Sequence, residues 1–184
     1  MAKRIVILGR QGAGKGTQSA RLVDKFGLIH VSTGDMLRAA VSAGTDLGKQ
    51  AEAIMNAGEL VSDEIMNGIV AERLAEDDIM EHGVLLDGFP RTTSQADALE
   101  AIFSEQGVEL DAAVNIDVPI DEVTERMMAR GREDDTAEGI ARRLELYEEQ
   151  TAPLLAWFAE RNKLIVIDGL GNEDEVFARV SGVV

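Results

Sequence analysis

Apolar positions along the chain follow two alternating spacings. Short, largely β-branched runs lie at Arg4 to Leu8, Leu28 to Val31, Gly83 to Leu86, Ala112 to Val118 and Leu164 to Ile167, lengths that suit strands buried on both faces. Between them, apolar residues recur every three or four positions. This spacing holds at Ala20, Leu22, Val23 and Phe26, in SDEIMNGIVAERLA from Ser62, in TSQADALEAIFSEQG from Thr93, in IDEVTERMMAR from Ile120, and in one long pattern from Thr136 to about Asn162. Strands alternating with amphipathic helices predict an α/β fold: a five-stranded parallel sheet covered by helices on both faces, with ligands beyond the carboxyl ends of the strands. No repeat, low-complexity tract or Pro/Ser-rich linker divides the 184 residues, so one domain is expected.

Two intervals break the alternation. Ser32 to Val61 holds two short helical patterns, DMLRAAVSAG and DLGKQAEAIMNAG, with no strand between them, and reads as a small insertion. RGREDDT, Arg130 to Thr136, is a charged loop between two helices. Both are expected to follow strand ends and to overhang the ligand site as lids.

The turn after the first strand reads GRQGAGKGTQ, Gly9 to Gln18. Strand, glycine-rich turn and helix in that order aim backbone N–H groups, the positive end of the helix and the Lys15 ammonium at one anion. The strict phosphate-loop pattern places Ser or Thr directly after the lysine to meet a metal. Gly16 stands there instead, and Thr17 comes one place late. A metal therefore needs another anchor. The third strand supplies one in LLDGFPRTTSQ: Asp87 ends a buried run, where a carboxylate commonly steadies magnesium through water. Asp-Gly and Phe-Pro also read as plain turn dipeptides. Arg91 leaves that turn into the same mouth. After the second strand, STGDMLR offers Asp35 as a helix N-cap and leaves Arg38 free to reach a second phosphate.

Composition narrows the partner. A net charge of −16 argues against nucleic acid, whose backbone is bound through Lys and Arg. An anionic ligand must meet a local basic cluster, and 13 of the 18 basic residues are Arg, the planar fork that grips phosphates at two points. Arg126 and Arg130 share a helix face, Arg132 lies in the charged loop, and Arg143 is early in the next helix. Arg142 reads as part of a solvated face paired with Glu122, Glu125 or Glu138. Five separated arginines and one lysine exceed the needs of one triphosphate and suggest two phosphate chains facing each other. His30 and His82 lack spaced partners and read as structural or surface residues. Tyr147, Trp157 and Phe158 read as core on an amphipathic helix. There is no cysteine and no run near the roughly 20 apolar residues of a membrane span, so a soluble cytoplasmic protein with no membrane partner is expected.

Taken jointly, GAGKGTQ, STGDMLR, GELVSDE, LLDGFPRT with Gln95, RGREDD, and RRLELY followed by TAPLL resemble the adenylate kinases in their short-lid bacterial form, over essentially the whole chain. The resemblance implies a P-loop nucleoside monophosphate kinase core of strand order 2-3-1-4-5. It implies a nucleotide-monophosphate-binding insertion at residues 32–61, a short lid at 129–135, and a monomer. The implied reaction is reversible transfer of the terminal phosphoryl group of ATP to AMP, with magnesium, giving two ADP. By the same resemblance, Gly12, Ala13, Gly14, Lys15, Gly16 and Thr17 cradle the ATP phosphates. Arg126 borders the ATP adenine, Arg130 binds the ATP phosphates, and the backbone near Gly171 touches the base. Thr33, Arg38, Glu59, Leu60, Val61, Gly88, Phe89, Pro90, Arg91 and Gln95 fall to AMP, with Arg132 and Arg143 spanning AMP and the transferring group. Lys15, Arg91, Arg130, Arg132 and Arg143 are the implied catalytic charges, Asp87 the magnesium anchor, and Asp134 with Asp135 the acidic pair of the lid.

Two positions depart from the family pattern. Gln11 stands where Pro is usual, and the lid is short and lacks the cysteines of the zinc-bearing type, so zinc is not expected. A UMP/CMP-type kinase of the same superfamily is the nearest alternative, which Thr33 and Gln95 argue against. A nucleotide-sensing module that binds ATP without transferring phosphate is the other, which the retained Lys15, Asp87 and arginines argue against.

Overall fold

The computed structural model describes residues 2–132 and 134–184. Five strands, β1 (Lys3–Leu8), β2 (Ile29–Ser32), β3 (Gly83–Asp87), β4 (Ala112–Asp117) and β5 (Leu164–Asp168), form one parallel sheet of order β2-β3-β1-β4-β5. This is the expected order. β1 lies at the centre, and the alternating direction of its side chains feeds two separate cores. Val6 and Leu8 join Leu86, Leu99, Phe103 and Phe158 on one face, and Ile5 and Ile7 join Leu22, Leu85, Val114 and Val123 on the other. All four β1 residues are essentially buried, each stabilising the fold by about 1.5–3 kcal/mol.

The helices are α1 (Lys15–Phe26), α2 (Thr33–Ser42), α3 (Asp46–Asn56), α4 (Asp63–Leu74), α5 (Asp77–His82), α6 (Thr93–Glu105), α7 (Ile120–Arg130), α8 (Ala137–Leu146), α9 (Pro153–Glu160) and α10 (Glu173–Ser181). From β1 the chain crosses through α1 to the far edge at β2, returns through β3 beside β1, and continues to β4 on the other side. The mouth of β1 is therefore the switch point where such sheets bind ligands. Ile7 is paired with Asp87, so the loop after β1 and the carboxylate ending β3 are neighbours, as their sequence positions suggested.

Several expectations need correction. The long pattern from Thr136 is not one helix: α8 passes at Leu146 into a π-helical turn, Tyr147–Thr151, and α9 begins at Pro153. Pro lacks the N–H an α-helical ladder needs, and a first-turn position is where that loss is harmless. Asp35 is not the cap of α2; Ser32 is, its hydroxyl accepting from the Asp35 N–H at 3.3 Å. The charged loop follows α7, not a strand end, and still reaches the cleft through Arg130, Arg132 and Asp134. Phe158 is core, whereas Trp157 is only partly buried, with its indole N–H on Asp97 at 3.0 Å and Arg161 over its ring. Among the described residues no helix is long and apolar enough to cross a membrane.

Candidate active site

The loop between β1 and α1 is pressed against its neighbours so closely that two of its glycines have no room for a side chain. At Gly9 (φ +139°) a Cβ would meet the Ile116 carbonyl oxygen at 2.6 Å, and at Gly12 (φ +85°) the Val123 carbonyl oxygen at 2.7 Å. Gly14 caps α1 in the left-handed region with no side-chain hydrogen bond to the helix. The first-turn N–H groups of α1 thus lack intrahelical acceptors, and Gly16 and Thr17 line the cleft. Lys15 Nζ donates to the carbonyl oxygens of Gly9 at 2.8 Å and Arg10 at 3.1 Å. Burial pushes its ammonium down to about 8, Asp87 opposes the shift, and Arg91, Arg130 and Arg132 add to it. A cation held at such a cost favours an incoming anion.

The cleft above this loop has a volume of about 840 Å³, at the upper end of ligand sites. On one side stand Thr33 and Arg38 from α2, the segment Glu59–Val61, and Gly88, Arg91 and Gln95 beyond β3. Arg38 is paired with Asp35. Gly88 (φ +83°) lies so near Thr33 that a Cβ would meet its Oγ1 at 2.8 Å. Arg91 donates from Nε to the Gly88 carbonyl at 2.9 Å, and burial lowers the pKa of its guanidinium against the opposing charge of Asp87. Gln95 is buried, 2% exposed. Its Oε1 accepts from the Arg91 backbone N–H at 2.7 Å and its Nε2 donates to Asp63 Oδ1 at 2.7 Å, while Thr92 donates to the other Asp63 oxygen at 2.9 Å. Gln95 is thereby braced from both ends, with one amide hydrogen and one lone pair left for a ligand.

The opposite wall carries Arg126, paired with Glu122, and the lid arginines. Asp135 organises the lid. Its carboxylate, with no exposed side-chain surface, accepts from Arg130 Nε at 2.9 Å and Nη2 at 2.7 Å, from Arg143 Nη2 at 2.9 Å and from the Arg132 backbone N–H at 3.1 Å. Burial would raise its pKa; the hydrogen bonds from Arg130 and Arg143 outweigh that and hold the group well below the usual carboxylate range. Asp134 takes a further bond from Arg143 at 2.9 Å. Gly171 (φ +113°) closes the rim, in a turn held by Arg179 through the Asp168 and Leu170 carbonyls.

The structure brings nearly all the residues singled out in the sequence to this one cleft; Phe89 and Pro90 stand apart. Phe89 is 1% exposed in the apolar core, and Pro90, after a cis peptide bond, lines a small cavity of about 50 Å³ behind the loop. Arg142 does not pair with Glu122, Glu125 or Glu138 either. It grips Glu59 through Nε at 2.7 Å and Nη2 at 3.2 Å, and Glu145 through Nη1 at 2.6 Å, tying α8 to the end of the 32–61 segment. His30 is not remote from the chemistry: its Nε2 lies 4.0 Å from Asp87 Oδ2. Asp63, the brace of Gln95, went unnoticed in the sequence because SDE before an apolar run also reads as an ordinary helix start.

The family model described as adenylate kinase matches residues 7–163, from within β1 to the threshold of β5. The chain belongs to the adenylate kinase family. A protein of Stenotrophomonas maltophilia (strain R551-3) named adenylate kinase is 46% identical over 181 residues, covering 96% of each chain. Another of that name, from Mycobacteroides abscessus, is 48% identical over 178 residues and 97% of each chain. The P-loop kinase fold and the sheet order expected from the motifs are those observed.

Proposed function

We propose that the chain catalyses reversible transfer of the γ-phosphoryl group of ATP to AMP, giving two ADP. The observation that carries this reading is one continuous cleft in which a helix start without a side-chain cap, carrying Lys15, faces arginines from four other segments, Arg38, Arg91, Arg130 and Arg143. One phosphate chain does not need cations on opposite walls. Two chains meeting over the loop do.

In this reading the loop 12–17 and Arg130 hold the ATP phosphates, and Arg126 and Gly171 border its base. Arg38 and Arg91 hold the AMP phosphate, and Thr33, Gln95 and the Glu59–Val61 backbone receive the AMP adenine. The segment 32–61 and the loop 129–135 act as the closing parts. An α-phosphate oxygen of AMP attacks the γ-phosphorus of ATP in line, the β–γ bridging P–O bond breaks, and the electron pair stays on the departing ADP. AMP brings an anionic oxygen of its own, so no strong general base is required and the work is positioning and charge stabilisation. Lys15, Arg91, Arg132 and Arg143 supply the positive charge, and closure keeps water from competing.

Magnesium fits the residues present. The Asp87 side chain is 14% exposed at the cleft floor, and no group of three or more acidic or histidine ligands exists among the described residues. A single carboxylate with waters and phosphate oxygens is a usual magnesium setting. Bound there, the ion would neutralise charge on the β- and γ-phosphates. Action in the cytoplasm as a monomer belongs to the same reading. The test is an acceptor panel with ATP and magnesium: AMP should be phosphorylated well above UMP and CMP, and a preference for UMP or CMP would replace the reading with that of a pyrimidine nucleotide kinase.

A further inference from the structure

Gln11 Oε1 accepts a hydrogen bond from Arg143 Nη1 at 2.7 Å, across 132 positions of sequence. Arg143 is the most enclosed of the cleft arginines with an ion pair, its side chain 6% exposed, and every one of its five N–H groups has an acceptor. Nε donates to the Gly139 carbonyl at 3.0 Å, Nη2 to the Asp134 carbonyl at 2.8 Å and to Asp135 Oδ1 at 2.9 Å, and Nη1 to Asp134 Oδ2 at 2.9 Å and to Gln11. Four of these acceptors belong to α8 or to the lid loop before it. Gln11 alone belongs to the phosphate loop, the side from which a nucleotide's phosphates approach.

As it stands, Arg143 has no donor free for a phosphoryl group. One of its five bonds must yield, and the bond to Gln11 is the one whose acceptor is uncharged, lies outside α8 and the lid, and sits at the phosphate site. We propose that Gln11 is a placeholder for the transferring phosphoryl group: its amide oxygen occupies the phosphoryl position on Arg143 while the site is empty and gives way when the phosphate arrives, the guanidinium staying aimed by its four bonds to α8 and the lid loop. The exchange is downhill, since a guanidinium bonds an ionised phosphate oxygen about twice as strongly as a neutral amide. The loop allows the side chain to leave without moving the backbone. Residue 11 lies within a turn closed by the Ala13 N–H on the Arg10 carbonyl at 3.1 Å. Arg10 is clamped by Glu148 at 2.6 Å and 2.9 Å and lies over the Tyr147 ring, and Gly12 is seated on Val123. Gln11 thus moves as a side chain between two fixed neighbours. It is a positioning residue, acting on the phosphate through Arg143.

The inference rests on the phosphotransfer reading above, and its test separates the two. ADP formation and thermal melting are measured for wild type, Gln11→Ala and Gln11→Glu. The Glu variant has the same shape with an ionised acceptor. It should melt at or above wild type, because an ion pair with Arg143 replaces the amide bond, and should lose at least tenfold in kcat, because the carboxylate contests Arg143 with the phosphoryl group. The Ala variant removes the competitor. It should melt below wild type yet gain about fivefold in kcat/KM, the worth of one displaced hydrogen bond. A role confined to holding the structure together predicts the reverse order, with activity following stability. The placeholder is overturned if Gln11→Ala loses kcat/KM or leaves it unchanged, or if Gln11→Glu keeps wild-type turnover. Failure of wild type itself to form ADP overturns the phosphotransfer reading instead.

Discussion

Replacing Lys15 by Met should change how the stability of the protein depends on pH, with a sign opposite to the familiar one. Burial lowers the pKa of the Lys15 ammonium from the ordinary 10.5 to about 8. Between those values the unfolded chain holds a proton at this position that the folded chain has released, so wild-type stability rises with pH across the interval. At about 1.4 kcal/mol per pH unit the drop corresponds to roughly 3 kcal/mol of charge strain, fully present below pH 8. Water at the open cleft mouth screens part of it; taking half leaves about 1.5 kcal/mol. Met removes the titrating group, and with it the hydrogen bonds to the Gly9 and Arg10 carbonyls, worth about 1 kcal/mol each. That loss offsets the curves without tilting them. Thermal melting of both proteins from pH 7 to 10.5 should therefore show wild type gaining on Lys15→Met by about 3–6 °C over the interval, at the 2–4 °C per kcal/mol expected for this length. A difference that stays constant over the whole range would refute the burial of a strained cation, and with it the idea that the loop is poised for an anion.

Arg91→Ala should lower kcat by roughly a hundredfold or more in the ADP-forming assay, as removal of one charge clamp on a transferring group does. Near-normal turnover would remove Arg91 from the site. Asp135→Asn should destabilise the protein by about 2–3 kcal/mol in denaturant melts, since it withdraws the shared partner of Arg130 and Arg143. Its pKa is depressed on folding, so the stability it contributes is present above the unfolded carboxylate range and is lost as pH falls below it. The gap between variant and wild type should accordingly close only in strong acid.

Much of this could be read in advance because it is local. The apolar runs that became β1 and β4 and the order of strand, glycine turn and helix around Lys15 need no information from elsewhere in the chain. The placement of Asp87 needed only that β1 and β3 be neighbours. What was missed has three physical origins. Elements shorter than two turns, such as α5 (Asp77–His82), have too few residues to display a period. The π-helical turn at Tyr147–Thr151 has no composition of its own and was absorbed into one long helix. The pairings that decide how the cleft is held join distant residues: Gln95 with Asp63, Arg142 with Glu59, Arg143 with Gln11. A side chain's partner is set by the tertiary fold, so Arg142 looked equally suited to any nearby glutamate. α10 (Glu173–Ser181), by contrast, carries a local signal. Its capping box, Asn172 with Glu175 before an apolar run, was legible in NEDEVFARV.

The most direct measurement follows ATP, ADP and inorganic phosphate together when the wild-type protein is given ATP, AMP and magnesium. A site that holds two phosphate chains face to face and shuts out water should form two ADP for each ATP consumed, with little phosphate released and little ATP lost when AMP is left out. Consumption of ATP that yields phosphate at the same rate with or without AMP would contradict it.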